Sequence, residues 1–123
     1  MNDNTRKILN NFGEKLIESA RDKTIRESIK TIKGEIKDKI SLQIAEKLKG
    51  IESQEMEAIE NLIIDSIDGA LNNFLWMIER DDIYDLVADM DSKKFSLKKL
   101  SDGLSVDYWN FVDDFSHYKR VDS

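Results

Sequence analysis

The sequence contains no cysteine, no proline and only one histidine, His117. Small secreted domains usually depend on disulfides, so the lack of cysteine predicts a reducing, cytoplasmic environment. With neither cysteine nor a second histidine, zinc sites and histidine-based nucleophilic triads lack their usual side chains. The five glycines are isolated from one another and form no phosphate-binding loop. We therefore predict no enzymatic activity, no metal site and no cofactor.

Long apolar runs are also missing. The longest is the segment 74–78, which is far too short to span a membrane. The residues that follow Met1 lack the apolar core of a signal peptide, so we expect a cytoplasmic protein without membrane contact. A chain of 123 residues, of which 40 % are hydrophobic, is the usual size for one core, and we predict a single domain over residues 1–123.

Charge is unevenly distributed along the chain, whose net charge is −6. Residues 1–52 carry a net charge of +3, residues 53–80 carry −5 and residues 81–123 carry −4. The basic first half can pair with the acidic remainder inside the fold. Alternatively, the acidic part forms a face that attracts a basic partner.

Helical periodicity dominates the first half. Apolar residues at four-residue steps predict a first helix from about Thr5 to Asp22, with a stripe formed by Ile8, Phe12, Leu16 and Ala20. A second stripe runs from Ile25 to Ile40 and contains Gly34. The pattern fits one long helix or a break at that glycine, and the preceding lysines favour the break, with a further helix running to Leu48.

The segment from Ser53 to Arg80 predicts a central helix, with Ser53 as its N-cap. Its apolar face is wide, and this indicates packing on more than one side. The residues predicted to share that face are Ile59, Ile63, Ile67, Ala70, Phe74, Met77 and Ile78. The narrow polar stripe consists of Asn61, Asp65, Asp68, Asn72 and Glu79.

After Arg80 the pattern changes to alternation, which is typical of strands, around a turn predicted at 91–94. A last helix, capped by Ser105, would bury Tyr108, Phe111, Val112 and Phe115. The predicted fold class is mainly α. It is a helical bundle around a long central helix (about 53–80), with a small appended β-hairpin (about 83–100) and a short C-terminal helix.

Carboxylates are the most abundant candidate functional groups after the central helix. A calcium loop is disfavoured, because the cluster lacks the glycine and the closing glutamate of an EF-hand. A catalytic pair would need a cleft, which the sequence does not reveal. A solvated surface and an acidic patch that recognises a protein partner both stay open. For the patch, the predicted binding residues are Asp81, Asp82, Asp85, Asp89, Asp91 and Trp109.

A basic stripe precedes this acidic part of the chain. Its members are Lys23, Arg26, Lys30, Lys33 and Lys37. Nucleic acid prefers such stripes, but the chain is acidic overall and carries no nucleic-acid-binding motif. We therefore do not expect a nucleic-acid partner, and a solvated face or internal pairing explains the stripe equally well.

Two stretches carry a family resemblance: residues 67–79, IDGALNNFLWMIE, and residues 100–104, LSDGL, followed by an aromatic-rich end. They resemble a family of small bacterial cytoplasmic proteins of largely unassigned function, some of which resemble immunity proteins of toxin–immunity systems. The resemblance extends over most of residues 25–118, although only these two stretches are distinctive. Relatives often have histidine where this chain has Asn72, so no role of that histidine is transferred.

The resemblance implies a non-enzymatic protein that neutralises a partner toxin, often a basic nuclease, by covering or distorting it. This agrees with the acidic patch, whose carboxylates would meet lysine and arginine on the toxin. The alternative is a structural or regulatory homo-oligomeric helical module without a toxin partner. A protein partner is therefore expected, and self-association stays open.

Overall fold

The computed structural model describes residues 3–121 and confirms the predicted fold class. Helices account for 71 % of it. The helices are α1 (Asp3–Leu16), α2 (Lys23–Ile32), α3 (Lys39–Leu48), α4 (Ser53–Arg80), α5 (Leu97–Leu100) and α6 (Leu104–Phe115). The strands are β1 (Val87–Met90) and β2 (Lys93–Ser96).

The sequence predicts that the first helix ends at Asp22, but the helical backbone continues past this residue. A π-helical segment, Ile17–Asp22, joins α1 to α2 with helical backbone at both junctions. Its wider turn has a physical reason. The buried residues recur every four positions, at Leu9, Gly13, Ile17, Arg21 and Ile25. In a regular α-helix such a stripe drifts by about 40° per step, and a π-turn offsets part of that drift.

The predicted break at Gly34 is confirmed. Gly34 has φ +76°, its N–H donates to the Thr31 carbonyl, and the Glu35 N–H donates to the Lys30 carbonyl. This pair of bonds is the Schellman ending of a helix, which favours glycine at the left-handed position. The next helix, α3, begins after Asp38, whose carboxylate accepts hydrogen bonds from the backbone N–H and the hydroxyl of Ser41. These bonds lower the pKa of Asp38.

The central helix α4 has the predicted length, but its cap and its buried face differ from the prediction. Glu52, not Ser53, is the N-cap, and it makes no side-chain capping bond. The buried residues of α4 are Asp68, Leu75 and Ile78. Phe74 and Met77, which were assigned to the apolar face, are 46 % and 43 % exposed.

The polar stripe of α4 lies partly against α6. Besides the buried Asp68, Asn72 donates from Nδ2 to the Ser105 carbonyl at 2.6 Å, and Glu79 accepts from the Ser105 hydroxyl. Helix α6 begins after Gly103, which is its N-cap, so the predicted cap at Ser105 is wrong. The predicted buried face was wrong at Phe74 and Met77, because an apolar face this wide does not reveal which part of it meets a neighbouring helix.

The hairpin is shorter than the alternating pattern suggested. The antiparallel pairs run from Val87 opposite Ser96 to Met90 opposite Lys93. The turn consists of Asp91 and Ser92 alone, with φ values of 53° and 65°. Two consecutive positive φ values are typical of a type I′ turn, whose twist matches that of the strands. Residues 97–100, predicted as strand, form the short helix α5.

The core lies where α1, the π-helical segment, α4, α5 and α6 meet. Its fully buried members are Leu9, Ile17, Leu75, Ile78, Leu97, Leu104, Tyr108, Phe111 and Val112. The helix α6 therefore buries the predicted face, while Phe115 packs at the margin. Close approach of α6 to α1 depends on Gly13, because the Phe111 ring occupies the space that a Cβ atom would need.

Candidate partner-binding surface

The five predicted aspartates lie on one continuous stretch, residues 81–91, which we call the acidic segment. It leaves the C-terminus of α4, crosses to β1 and ends in the hairpin turn. Asp82, Asp85, Asp89 and Asp91 are exposed, and Asp81 is half-buried as the C-cap of α4. The fold therefore presents most of these carboxylates to solvent.

Large apolar side chains stand exposed among these carboxylates. Ile83 is 82 % exposed, and Tyr84 is 54 % exposed. Val87 on β1 is also more than half exposed. An exposed apolar cluster with a charged border is a common feature of protein-binding surfaces, since aromatic and aliphatic anchors supply binding free energy when they are desolvated.

Lys98 on α5 holds the first part of the acidic segment in place. Its Nζ atom donates to the carbonyl oxygens of Asp81 at 2.7 Å, Tyr84 at 2.6 Å and Ile78 at 3.3 Å. The Ile83 N–H in turn donates to Asp81 Oδ1 at 2.8 Å. A lysine at the end of α4 also complements the negative end of the helix dipole. The exposed side chains are thus carried on backbone that is fixed before any partner arrives.

The carboxylates of the acidic segment are not neutralised by ion pairs. Over residues 3–121 the ion pairs join Arg21 to Asp22, Arg21 to Asp68, and Lys23 to Glu27. Lys94 lies opposite Asp89 in the hairpin, yet no ion pair forms between them. Lys98 and Lys94 bring positive charge close to the segment, but within residues 3–121 none of its carboxylates forms an ion pair.

Trp109 belongs to α6 and not to this segment. Its ring packs edge-on against Tyr108, with centroids 5.2 Å apart, and the Arg120 guanidinium lies 4.9 Å from its centroid. The indole is half-buried at the margin of the core. The indole therefore lies beside a cation rather than beside the aspartates.

Sequence reasoning missed a buried ionic network centred on Arg21, which is wholly inaccessible to solvent. The guanidinium donates from Nε to Asp68 Oδ1 at 2.6 Å and from Nη2 to Asp68 Oδ2 at 3.1 Å. Nη1 donates to Asp22, to the Ser116 hydroxyl and to the Tyr118 carbonyl. The network joins the π-helical segment, α4 and the tail that follows α6.

Arg21 and Tyr108, which both donate hydrogen bonds to Asp68, hold their protons more tightly than usual. Burial alone would lower the pKa of Arg21, but the hydrogen bond and the charge of Asp68 outweigh it and raise that pKa. Burial and the hydrogen bond that Tyr108 donates to Asp68, at 2.5 Å, raise the pKa of Tyr108. The charged side chains of this network are buried and hydrogen-bonded to one another, and we assign the network a structural role.

One signal could have exposed this network in advance. Arg21 interrupts the four-residue stripe of Leu9, Gly13, Ile17 and Ile25, and a charged residue in an apolar register requires a buried partner.

The single histidine does not contribute its ring. His117 is exposed, and only its backbone N–H joins the network, donating to Asp22 Oδ2 at 2.8 Å.

The basic stripe is split between two environments. Lys23, Arg26 and Lys30 are exposed on α2. Lys33 caps the end of α2, and Lys37 lies in the connection beyond it, donating to the Gly34 carbonyl at 2.6 Å. The five basic groups therefore do not form one continuous helical stripe, because the helix ends at Gly34.

In the described part of the chain, no group of three or more acidic, histidine or cysteine side chains is placed to hold a metal ion. None of the helices within residues 3–121 is both long enough and apolar enough to cross a membrane. Comparison of the chain with protein-family models, curated proteins and solved structures finds no match.

Proposed function

We propose that this chain is a non-enzymatic protein-binding protein of the immunity type, which neutralises a basic partner toxin through the acidic segment. One observation carries the proposal. Ile83 and Tyr84, which are 82 % and 54 % exposed, stand among aspartates that have no ion-pair partner within residues 3–121. This combination supplies both long-range attraction and short-range anchoring.

The physical basis has two stages. The unpaired carboxylates steer a basic protein toward the segment and set its orientation, which raises the association rate and makes it sensitive to salt. The exposed isoleucine and tyrosine then lose their contact with water and hold the complex together. Because Lys98 already fixes the backbone that carries them, little conformational entropy is lost on binding.

Affinity capture of the tagged protein from its native cells tests the proposal. We expect a basic protein to co-purify with it and to lose toxicity in its presence. Asparagine substitutions at Asp82, Asp85, Asp89 and Asp91 should abolish capture. The matched control replaces four other exposed carboxylates, Glu55, Glu57, Asp113 and Asp114, by their amides and should retain the partner.

The control changes the net charge by the same amount, so it separates a local surface from a general charge effect. Equal capture by the two quadruple variants would refute the acidic segment as the binding surface. Capture of a partner that has no toxic activity would refute the immunity role while leaving protein binding intact.

A second candidate, a homo-oligomeric helical module, is favoured by a different surface. Phe74 and Met77 are nearly half exposed on the same side of α4, and Leu62 on the same helix is more exposed still. Burying these side chains against a second copy would stabilise a dimer. Light scattering over a range of concentrations tests this, and Phe74→Ser should shift a dimer toward monomer. A mass that stays monomeric at all concentrations would exclude the module.

A further inference from the structure

Strand β1 has an open edge beside a small apolar cavity. The Leu97 N–H donates to the Leu86 carbonyl at 2.9 Å. Hydrogen-bonded pairs alternate along an antiparallel ladder, so the residues on this side of the hairpin that bond across it are Leu86, Ala88 and Met90. Val87 and Asp89 fall between these pairs, so their N–H and C=O groups point away from β2. Within residues 3–121, no backbone group outside the hairpin bonds to the backbone of either residue.

The space between β1 and α1 is lined mainly by apolar side chains. A cavity of about 290 Å³ is bordered by Ile8 and Phe12 on one side and by Leu86, Ala88 and Met90 on the other. Such a volume accommodates one or two apolar side chains but is too small for a whole helix or strand. Lys15 also borders it, so a basic side chain entering this space would meet a like charge.

We infer that the open edge of β1 accepts an extended segment of the partner by strand addition, with alternating apolar and basic side chains. Backbone groups of Val87 and Asp89 would pair with the added strand. Side chains of that strand on the inward side would enter the cavity beside Ala88. Those on the outward side would lie next to Asp89 and Asp85. The inference rests on the proposed function for the basic character of the partner.

Charge decides between this occupant and a second copy of the chain. If β1 paired with β1 of another molecule, the two acidic segments would lie side by side. Like charges directly across from each other destabilise a strand pair. A strand that carries lysine or arginine outward would instead meet the unpaired carboxylates at Asp85 and Asp89.

The first test uses a short synthetic peptide of alternating valine and lysine as the probe. We expect it to slow hydrogen exchange at the Val87 and Asp89 amides. A peptide of the same sequence, N-methylated on the edge that would pair, should not bind. Binding of the methylated peptide with equal affinity would overturn strand addition, because charge alone would then account for the contact.

Edge prolines provide matched protein variants. Val87→Pro removes an N–H from the open edge of β1, whereas Lys94→Pro removes the equivalent N–H from the far edge of β2. Neither N–H bonds across the hairpin, so both variants should fold, which circular dichroism can verify. We expect Val87→Pro to weaken peptide binding about tenfold. Lys94→Pro also removes a positive charge opposite Asp89, so it should leave binding as tight or make it tighter.

The outcomes separate this inference from the proposed function. If the peptide fails to bind the parent protein, or binds Val87→Pro as tightly as the parent, strand addition is overturned. A captured partner that depends on the aspartates but tolerates Val87→Pro would also overturn it, while the immunity role stands. Peptide binding at β1 without any toxic partner would support strand addition and refute the immunity role. Dimers abolished by Val87→Pro would identify a second copy as the occupant and refute the inference.

Discussion

Replacing Asp68 with alanine removes the acceptor at the centre of the Arg21 network. The carboxylate accepts two hydrogen bonds from Arg21 and one from Tyr108, at 2.6, 3.1 and 2.5 Å. All three side chains are almost completely inaccessible to solvent. In the variant, the Tyr108 hydroxyl and two guanidinium N–H groups lose their partner in a place where water does not replace it.

The expected cost follows from that burial. Removing one partner of a buried ion pair costs about 3–5 kcal/mol, because the remaining charge stays uncompensated. Asp22, Ser116 and the Tyr118 carbonyl still bind Nη1 and limit the loss. We therefore expect the free energy of unfolding to fall by about 4 kcal/mol. This is a large fraction of the roughly 5–15 kcal/mol of a typical domain.

Urea unfolding followed by circular dichroism measures this quantity, and the midpoint should fall by about 2 M. Asp65→Ala is the matched control, since it removes an exposed aspartate from the same helix. If the two variants differ by less than about 0.5 kcal/mol, the Asp68 carboxylate does not stabilise a buried Arg21 and the assigned role of the network is wrong.

Four further predictions concern glycine and tyrosine positions. Gly13→Ala should destabilise the protein by about 1–3 kcal/mol through overlap with the Phe111 ring; Gly69→Ala, with open space around it in a helix, should stabilise it by about 1 kcal/mol in the same urea assay. Gly34→Ala should cost about 1 kcal/mol for its positive φ alone, so an equally stable variant would contradict the helix ending described. Because the folded-state pKa of Tyr108 is raised above its ordinary value of about 10, its contribution to stability is complete below about pH 10 and is lost as pH rises above that value toward the folded-state pKa. The alkaline decline in the free energy of unfolding should be shallower in Tyr108→Phe, by up to about 1.4 kcal/mol per pH unit, and identical slopes would exclude this linkage.

Local signals in the sequence predicted much of the architecture. The end of α2 at Gly34 could be predicted because a left-handed residue at a helix end needs glycine, and lysines precede it. The length of α4 followed from apolar periodicity between an acidic first turn and Arg80. The exposure of the acidic segment agrees with its composition, although its binding role stays a prediction.

Features that depend on a neighbouring helix could not be predicted in this way. Asp68 lies on the polar stripe of α4, and only the position of α6 and the π-helical segment turns that stripe inward. The caps at Ser53 and Ser105 were mispredicted because capping preference is a weak local term, and tertiary contacts outweighed it. The role of Lys98 depends on three carbonyls that come together only in the folded chain.

The way in which Arg21 is satisfied has a consequence for biosynthesis. Its hydrogen-bond partners come from positions 22, 68, 116 and 118, so they span almost the whole described chain. The N-terminal helix therefore cannot bury Arg21 at low free energy until the residues near position 118 have been made. A nascent chain that stops earlier carries an unsatisfied cation in its core stripe. Burial of Arg21 is consequently a late step of folding, and fragments that end before Ser116 should be substrates for quality-control proteases rather than stable products.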